Sequence, residues 1–287
     1  MKPEQRRGRR DFWLRIGVLS LFALVLAGQI YPVFAQRTVT HRNVGSGCWL
    51  YQIKDTDPVL AIFVLRVDLG DPFIRLEHVL SQDFHAERMT VTALCRSYDR
   101  PYHRVVGGIN ADFFSGNLPT GIVLRDGELL KQGRGWSAIG FTKDKAPSIA
   151  VFGSEAQADR ADFRDILGGG PRIVRGGRVS VEIEQEGQRE GFDTENHPRT
   201  AIGYTRDKRF LVLAVVDGRQ PGYSHGTSLH ELAKIMLEFG CHEALNLDGG
   251  GSSTMVIRNR VVNSPSDIIG PRSVASALLI ISTSPHG

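Results

Sequence analysis

Four short polar turns punctuate the apolar stretches of this 287-residue chain, and they set the strongest limit on its fold. Arg125-Asp126-Gly127-Glu128 and Arg175-Gly176-Gly177-Arg178 centre on residues that tolerate positive φ, the backbone state a two-residue hairpin needs. Thr205-Arg206-Asp207-Lys208 and Arg258-Asn259-Arg260 carry a weaker form of the same signal. Hairpins reverse the chain, so the sheet they build is largely antiparallel. Between Leu60 and Leu80, two apolar or alternating runs flank Asp71-Pro72 and read as a further pair of strands.

Two segments have helical periodicity instead. After Thr90, a good N-cap, Val91, Leu94, Cys95 and Tyr98 fall on one face. From Ser228 to Phe239, Leu229, Leu232, Ala233, Met236 and Phe239 form another stripe. Ser228 and Glu231 have capping-box spacing there, and Gly240 is placed to end the helix. Hairpins without regular β-α-β alternation predict an α+β fold: a largely antiparallel sheet with hairpins and a few packed helices, in a single catalytic domain. The polar segment from Val181 to Pro198 reads as a loop inside that domain.

A hydrophobic share of 41% against 23% charged supplies one sizeable core and excludes disordered, collagenous and coiled-coil classes. The net charge of +4 hints at nucleic acid until it is located. Residues 1–15 hold six basic and two acidic side chains, residues 16–35 hold none, and the remainder is neutral. A neutral body with no basic stripe gives no reason to expect nucleic acid as a partner. The basic start, the apolar run Ile16–Ala27 and Val33-Phe34-Ala35 have the three parts of a secretory signal ending at Ala35. The alternative is a retained span over residues 12–35 that anchors the protein to the inner membrane, its only expected membrane contact. Either way residues 36–287 form the exported domain, periplasmic or secreted. Outside the cytoplasm, one pair among Cys48, Cys95 and Cys241 could oxidise, leaving the third free.

Chemistry has three candidate locations, each where an apolar run ends in polar or glycine residues: Val105–Phe114, Ile166–Arg172 and Ala244–Ser253. Asp248 followed by Gly249, Gly250 and Gly251 could bring backbone N–H groups to an anion, as a phosphate or sugar cradle, or could simply be a tight turn. Arg199 has the guanidinium geometry for phosphate, and Asp217-Gly218 and Arg272 are single signals of the same rank. Neither a phosphate-loop pattern nor a dinucleotide fingerprint is present.

Six ordered segments carry a family resemblance: Pro198-Arg-Thr-Ala-Ile-Gly203, Asp217-Gly218, Leu229-His-Glu-Leu-Ala233, Asn246-Leu-Asp-Gly-Gly-Gly-Ser252, Ser264-Pro-Ser-Asp267 and Pro271-Arg-Ser-Val274. Together they resemble the phosphodiester glycosidase family over about residues 105–281, with residues 36–287 as the domain. The resemblance implies removal of a sugar joined through its anomeric carbon to a phosphodiester. It places Asn110, Arg199, Asp217, Asp248 and the Gly249–Ser252 turn around the site. Thr200, Gly218 and Arg272 fall within the matching segments as substrate-binding candidates. Asp112 and Arg219 depart from the pattern and are not carried over.

A phosphate ester leaves as a weak base once its charge is held, so a general acid is less necessary than in ordinary glycosidases. The expected roles follow. Arg199, the glycine amides and Arg272 bind the phosphodiester, Asp248 or Asp217 activates water or attacks the sugar carbon, and Asn110 orients the sugar. No cofactor is required. Two other readings are metal-assisted attack at phosphorus, with a divalent cation on Asp112, Asp217, Asp248 and Asn110, and a non-catalytic glycan-binding or exopolysaccharide-assembly module. The expected partner is a phosphate-linked glycan.

Overall fold

The structure, a computed structural model, describes residues 19–26, 29–83, 86–152, 160–184, 186 and 188–284. Three antiparallel sheets dominate it. The largest has nine strands in the order Leu19–Leu26, Gln29–Gly45, Cys48–Thr56, Val59–Asp68, Phe210–Val216, Arg199–Thr205, Cys241–Asn246, Arg172–Arg175 and Arg178–Val179. A five-stranded sheet carries Ser137–Thr142 and Phe163–Gly168 at its centre. A second five-stranded sheet joins Arg260–Val261, Met255–Ile257, Arg104–Asn110, Ser276–Ser282 and Ile74–Leu80 in that order.

Burial on both faces explains the near-continuous apolar runs of the central strands. In Phe210–Val216, Leu211, Leu213 and Val215 enter the main core that the sheets share, while Val212, Ala214 and Val216 face the opposite side. There they pack beneath the helix Leu229–Glu238, whose Leu229, Leu232, Ala233 and Met236 are buried. The helix starts as its sequence predicts. The Ser228 hydroxyl accepts the Glu231 amide, the Glu231 carboxylate accepts the Ser228 amide, and Gly240 ends it at φ +80°. A second helix, Val91–Tyr98, is capped by Thr90 and buries Val91, Leu94 and Cys95 against the smaller sheet.

All four hairpin turns form. Asp126 and Gly127, Gly176 and Gly177, and Arg258 and Asn259 take the positive φ that two-residue turns demand. Three expectations need correction. With only two α-helices among the described residues, the fold is more β-rich than α+β. The two strands within Leu60–Leu80 do not pair with each other: Val59–Asp68 lies in the nine-stranded sheet and Ile74–Leu80 at the edge of another. The three cysteines are free and buried in three separate clusters, each facing a different part of the core, so no two meet.

The charged start of the expected targeting segment, residues 1–18, and residues 27–28 lie outside the described residues. Leu19–Leu26 and Gln29–Ala35 are extended and pair antiparallel, and among the described residues no helix is long and apolar enough to cross a membrane.

Candidate active site

The site lies at the seam between two sheets. As the chain leaves the Cys241–Asn246 strand, the Leu247 amide donates to Thr200 of the nine-stranded sheet at 2.8 Å. One residue later the Asp248 amide donates to the Ala111 carbonyl, just past the end of Arg104–Asn110, at 3.1 Å. This step from one sheet to the other turns Asp248 into a cavity of about 230 Å³. Gly249, Gly250, Arg189, Arg199, Arg219 and Arg272 line it, with His197, Phe113 and Phe192. Two other hollows, of about 170 and 430 Å³, contain none of the candidate catalytic or substrate-binding residues.

Among the described residues, Asp248 is the only carboxylate in the cavity wall. Its Oδ2 is sealed from solvent and has no hydrogen-bond partner among the described residues. Burial pushes the carboxyl up to about 6, against the pull of the neighbouring Ser252 hydroxyl, the Arg272 guanidinium and the Gly249 amide. The Asp112 charge adds to the rise. The Ser252 hydroxyl is buried, with no partner of good geometry.

The glycine turn works differently from a three-amide cradle. The Gly250 amide is already bonded to the Pro198 carbonyl at 2.8 Å, and Gly250 sits at φ +60°. What the missing side chains supply is approach. A Cβ at Gly250 would stand 3.2 Å from the Arg219 guanidinium, and one at Gly251 would collide with the Asp267–Arg272 ion pair. The glycines let two guanidinium groups lie directly on the turn.

The four arginines are not equivalent. Arg199, at 2% exposure, is spent on the fold: Nε donates to the Thr227 carbonyl at 3.2 Å, and Nη2 donates to Phe192 and Glu195 carbonyls, each at 2.8 Å. Burial lowers it to about 10, so it stays charged at neutral pH, but its fork faces main chain more than cavity. Nε and Nη2 are thus committed to main chain, while the side chain still lines the cavity. Arg189 pairs with Glu195, and Arg272 with Asp267 at 2.8 Å. Arg219, exposed at φ +59°, has no carboxylate partner among the described residues and only a 3.4 Å contact to His197 Nδ1. From sequence, Arg219 is set aside, His197 and Phe113 fall within candidate polar segments without a role of their own, and Phe192 and Arg189 carry no signal. His197 stands beside the Pro198-Arg199 motif, which was the one available signal.

Asn110, Thr200, Asp217 and Gly218 lie outside the cavity wall. Asn110 is fully buried, donates to the Asp248 carbonyl at 2.6 Å, and accepts from the Thr200 hydroxyl at 2.9 Å and the Thr254 amide at 3.0 Å. It fixes the backbone that carries Asp248. Asp217 accepts from Asn263 Nδ2 at 2.7 Å, the Ser264 amide at 2.8 Å and the Tyr223 hydroxyl at 3.0 Å. Burial lifts it to about 6 despite these three donors. Gly218 allows the backbone at Gly226 and Pro198 to pass too close for any side chain.

Asp112 is buried behind the site, held by His78 Nε2 at 2.8 Å, the Gly168 amide at 2.7 Å and the Ser276 hydroxyl at 2.6 Å. The acceptors of Asp112 and Asp217 are thus committed in different places, and no three His, Cys, Asp or Glu side chains among the described residues converge on a cation position. The donor set expected for a divalent cation is not assembled.

Within this β-rich fold the cavity wall sets four guanidinium groups around the carboxylate of Asp248. The family model of phosphodiester glycosidases matches residues 103–281, and this chain belongs to that family. It is 40% identical over 190 residues to the SPbeta prophage-derived uncharacterized protein YomE of Bacillus subtilis (strain 168), covering 62% of this chain and 28% of that protein. It is 33% identical over 139 residues to human N-acetylglucosamine-1-phosphodiester alpha-N-acetylglucosaminidase, covering 45% and 26% of the two chains. The zebrafish catalytic domain of the same name superposes with a TM-score of 0.65 at 21% identity, over 85% of this chain and 81% of that one. The matches cover 26–30% of the length of the curated relatives.

Proposed function

We propose that this protein is an exported hydrolase that cleaves the sugar–phosphate bond of a glycosyl phosphodiester in an envelope or extracellular glycan. The observation that carries the reading is the carboxylate of Asp248 in the wall of a cavity lined by four arginines. Arg219 and Arg272 hold the phosphate, and Phe113 and Phe192 offer apolar faces to the sugar ring. Asp248, ionised above about pH 6, attacks the anomeric carbon or activates the water that does. Asn110 and Thr200 position it, and Asp217 ties down the loop at Asn263 and Ser264.

One carboxylate suffices because the leaving group is a phosphate ester whose charge the arginines already neutralise. In ordinary glycosidases the second carboxyl group protonates a poor leaving group. No resident cofactor is part of this scheme. Export draws its support from the basic start and apolar run of the first 35 residues.

Hydrolysis of a panel of glycosyl phosphodiesters in water enriched in heavy oxygen tests the reaction. The label is expected in the released sugar; label in the phosphate would mean attack at phosphorus and end the proposal. The pH profile tests the residue. Since only ionised Asp248 can act, kcat/KM is expected to rise with pH through about 6 and then level. A profile flat between about pH 4.5 and 8 would remove Asp248 from the role.

A further inference from the structure

The turn beside Arg272 ends in two isoleucines that folding does not explain. Asp267 and Arg272 are joined at 2.8 and 3.0 Å, and their pair rests on Gly251. Between them the Gly270 amide donates to the Asp267 carbonyl at 3.0 Å, which makes Ile268 and Ile269 the central residues of a four-residue turn. Turn centres favour Pro, Gly, Asn, Asp and Ser. Here two large aliphatic side chains stand in solvent, Ile268 at 104% and Ile269 at 96% exposure. The next most exposed large hydrophobic among the described residues is Tyr102, at 71%.

The base of this turn is pinned. The Ser264 amide donates to Asp217 at 2.8 Å, the Ser264 hydroxyl to Gln220 at 3.0 Å, and Gln220 returns a bond to the Ser264 carbonyl at 2.7 Å. A turn fixed at its base and apolar at its tip presents that tip to something. Its place says to what. Arg272 belongs to the cavity wall, and Asp267 to the ion pair resting on the glycine turn. The cavity, at about 230 Å³, is smaller than the roughly 300–1,000 Å³ pocket of a drug-sized ligand. It can take a sugar and its phosphate, but the alcohol on the far side of the phosphate must emerge. Ile268 and Ile269 stand four and three residues before Arg272, just outside the cavity wall.

We infer that Ile268 and Ile269 form the contact for an apolar aglycone, so that the preferred substrate is a glycosyl phosphodiester of a long-chain, lipid-like alcohol. The inference rests on the hydrolase reading above and adds the substrate class. Elsewhere Arg189, Glu195 and Arg219 add charge around the cavity, and Phe113 and Phe192 are assigned to the sugar ring.

The test compares two diesters of one sugar, a methyl and an octyl ester, both below the concentration at which the octyl compound aggregates. In the parent protein the octyl ester is expected to exceed the methyl ester in kcat/KM by about tenfold, equivalent to about 1.4 kcal/mol and within the worth of two buried methylenes. In the double variant Ile268→Ser, Ile269→Ser that ratio falls to about one, whereas Ile268→Leu, Ile269→Leu keeps it. Both rates come from one preparation, so a lower active fraction leaves the ratio intact. A parent ratio near one, or a ratio unchanged in the serine variant, overturns the inference. So does isoleucine-dependent sedimentation with phospholipid vesicles when the ratio is near one, because the tip would then serve a membrane. Calorimetric titration with octyl phosphate and methyl phosphate reads the same contact without turnover. Equal affinities overturn the aglycone contact, while no hydrolysis of any diester alongside tighter octyl binding overturns the hydrolase reading alone.

Discussion

Asp248→Asn is expected to lower kcat by about 10³–10⁴-fold or more while making the folded protein harder to melt at pH 8. Both effects have one origin. The carboxyl titrates at 3.8 in its ordinary state and at about 6 in the fold, because burial disfavours its charge more than Ser252, Arg272 and the Gly249 amide favour it. The protonated acid is therefore the form that folding prefers. Its contribution to stability is fully present below about pH 3.8 and is lost as pH rises through about 6. At pH 8 the fold carries a buried charge at a cost of at most about 3 kcal/mol. A neutral amide of the same shape escapes that cost, so the melting temperature is expected to rise by several degrees at pH 8 and by little at pH 4. Retained affinity for phosphate monoester would show that the arginine wall is intact. A variant that keeps a tenth of the parent kcat, or that melts lower at pH 8, would contradict the role given to this carboxylate.

The local chemistry of the chain was legible in advance where a few consecutive residues decide the outcome. Thr90 and Ser228 cap helices, and Asp126-Gly127 and Gly176-Gly177 turn strands, because each acts on backbone within four residues of itself. Pairing is another matter. Val59–Asp68 and Ile74–Leu80 are neighbours in sequence yet join Phe210–Val216 and Ser276–Ser282 respectively, and nothing in either segment names a partner so far away. The cysteines fail for the same reason. Which cluster each thiol faces depends on layers formed by remote strands.

The site divides along the same line. The three glycines after Asp248 favour it over Asp217 in sequence only slightly, since each follows an apolar strand and precedes glycine, and burial lifts both to about 6. What separates them is a loop 46 and 47 residues downstream of Asp217, where Asn263 and Ser264 fill its acceptors. Asp248 receives no such cover at Oδ2. A carboxylate whose oxygens are filled by fixed donors away from the cavity is a brace, while one in the cavity wall beside cations is placed for chemistry. Arg199 and Arg219 reverse the sequence ranking by the same logic. The residue in the more recognisable motif is consumed by carbonyls, and the one set aside keeps its guanidinium over Gly250.

Arg199 and Arg219 are accordingly expected to fail in opposite ways. In Arg199→Lys one ammonium replaces a fork that holds carbonyls of Phe192, Glu195 and Thr227 from two nitrogens. Some of those buried acceptors lose their donor, and the fold loses about 2–4 kcal/mol, which at this size lowers the melting temperature by about 5–15 °C. Arg219→Ala removes an exposed side chain with no carboxylate partner among the described residues, so its melting temperature should move by no more than about 2 °C. Its kcat/KM should fall by about 10²–10³-fold, the usual loss when a group that stabilises developing charge is deleted. Thermal unfolding and steady-state kinetics on the two proteins measure all four quantities. If Arg199→Lys melted like the parent and lost only activity, or Arg219→Ala melted early and stayed active, the division of labour between clamp and phosphate ligand would have to be exchanged. The two guanidinium groups share one cavity wall, so proximity to Asp248 alone could not produce the expected split. Only the difference in what each is already bonded to can do so.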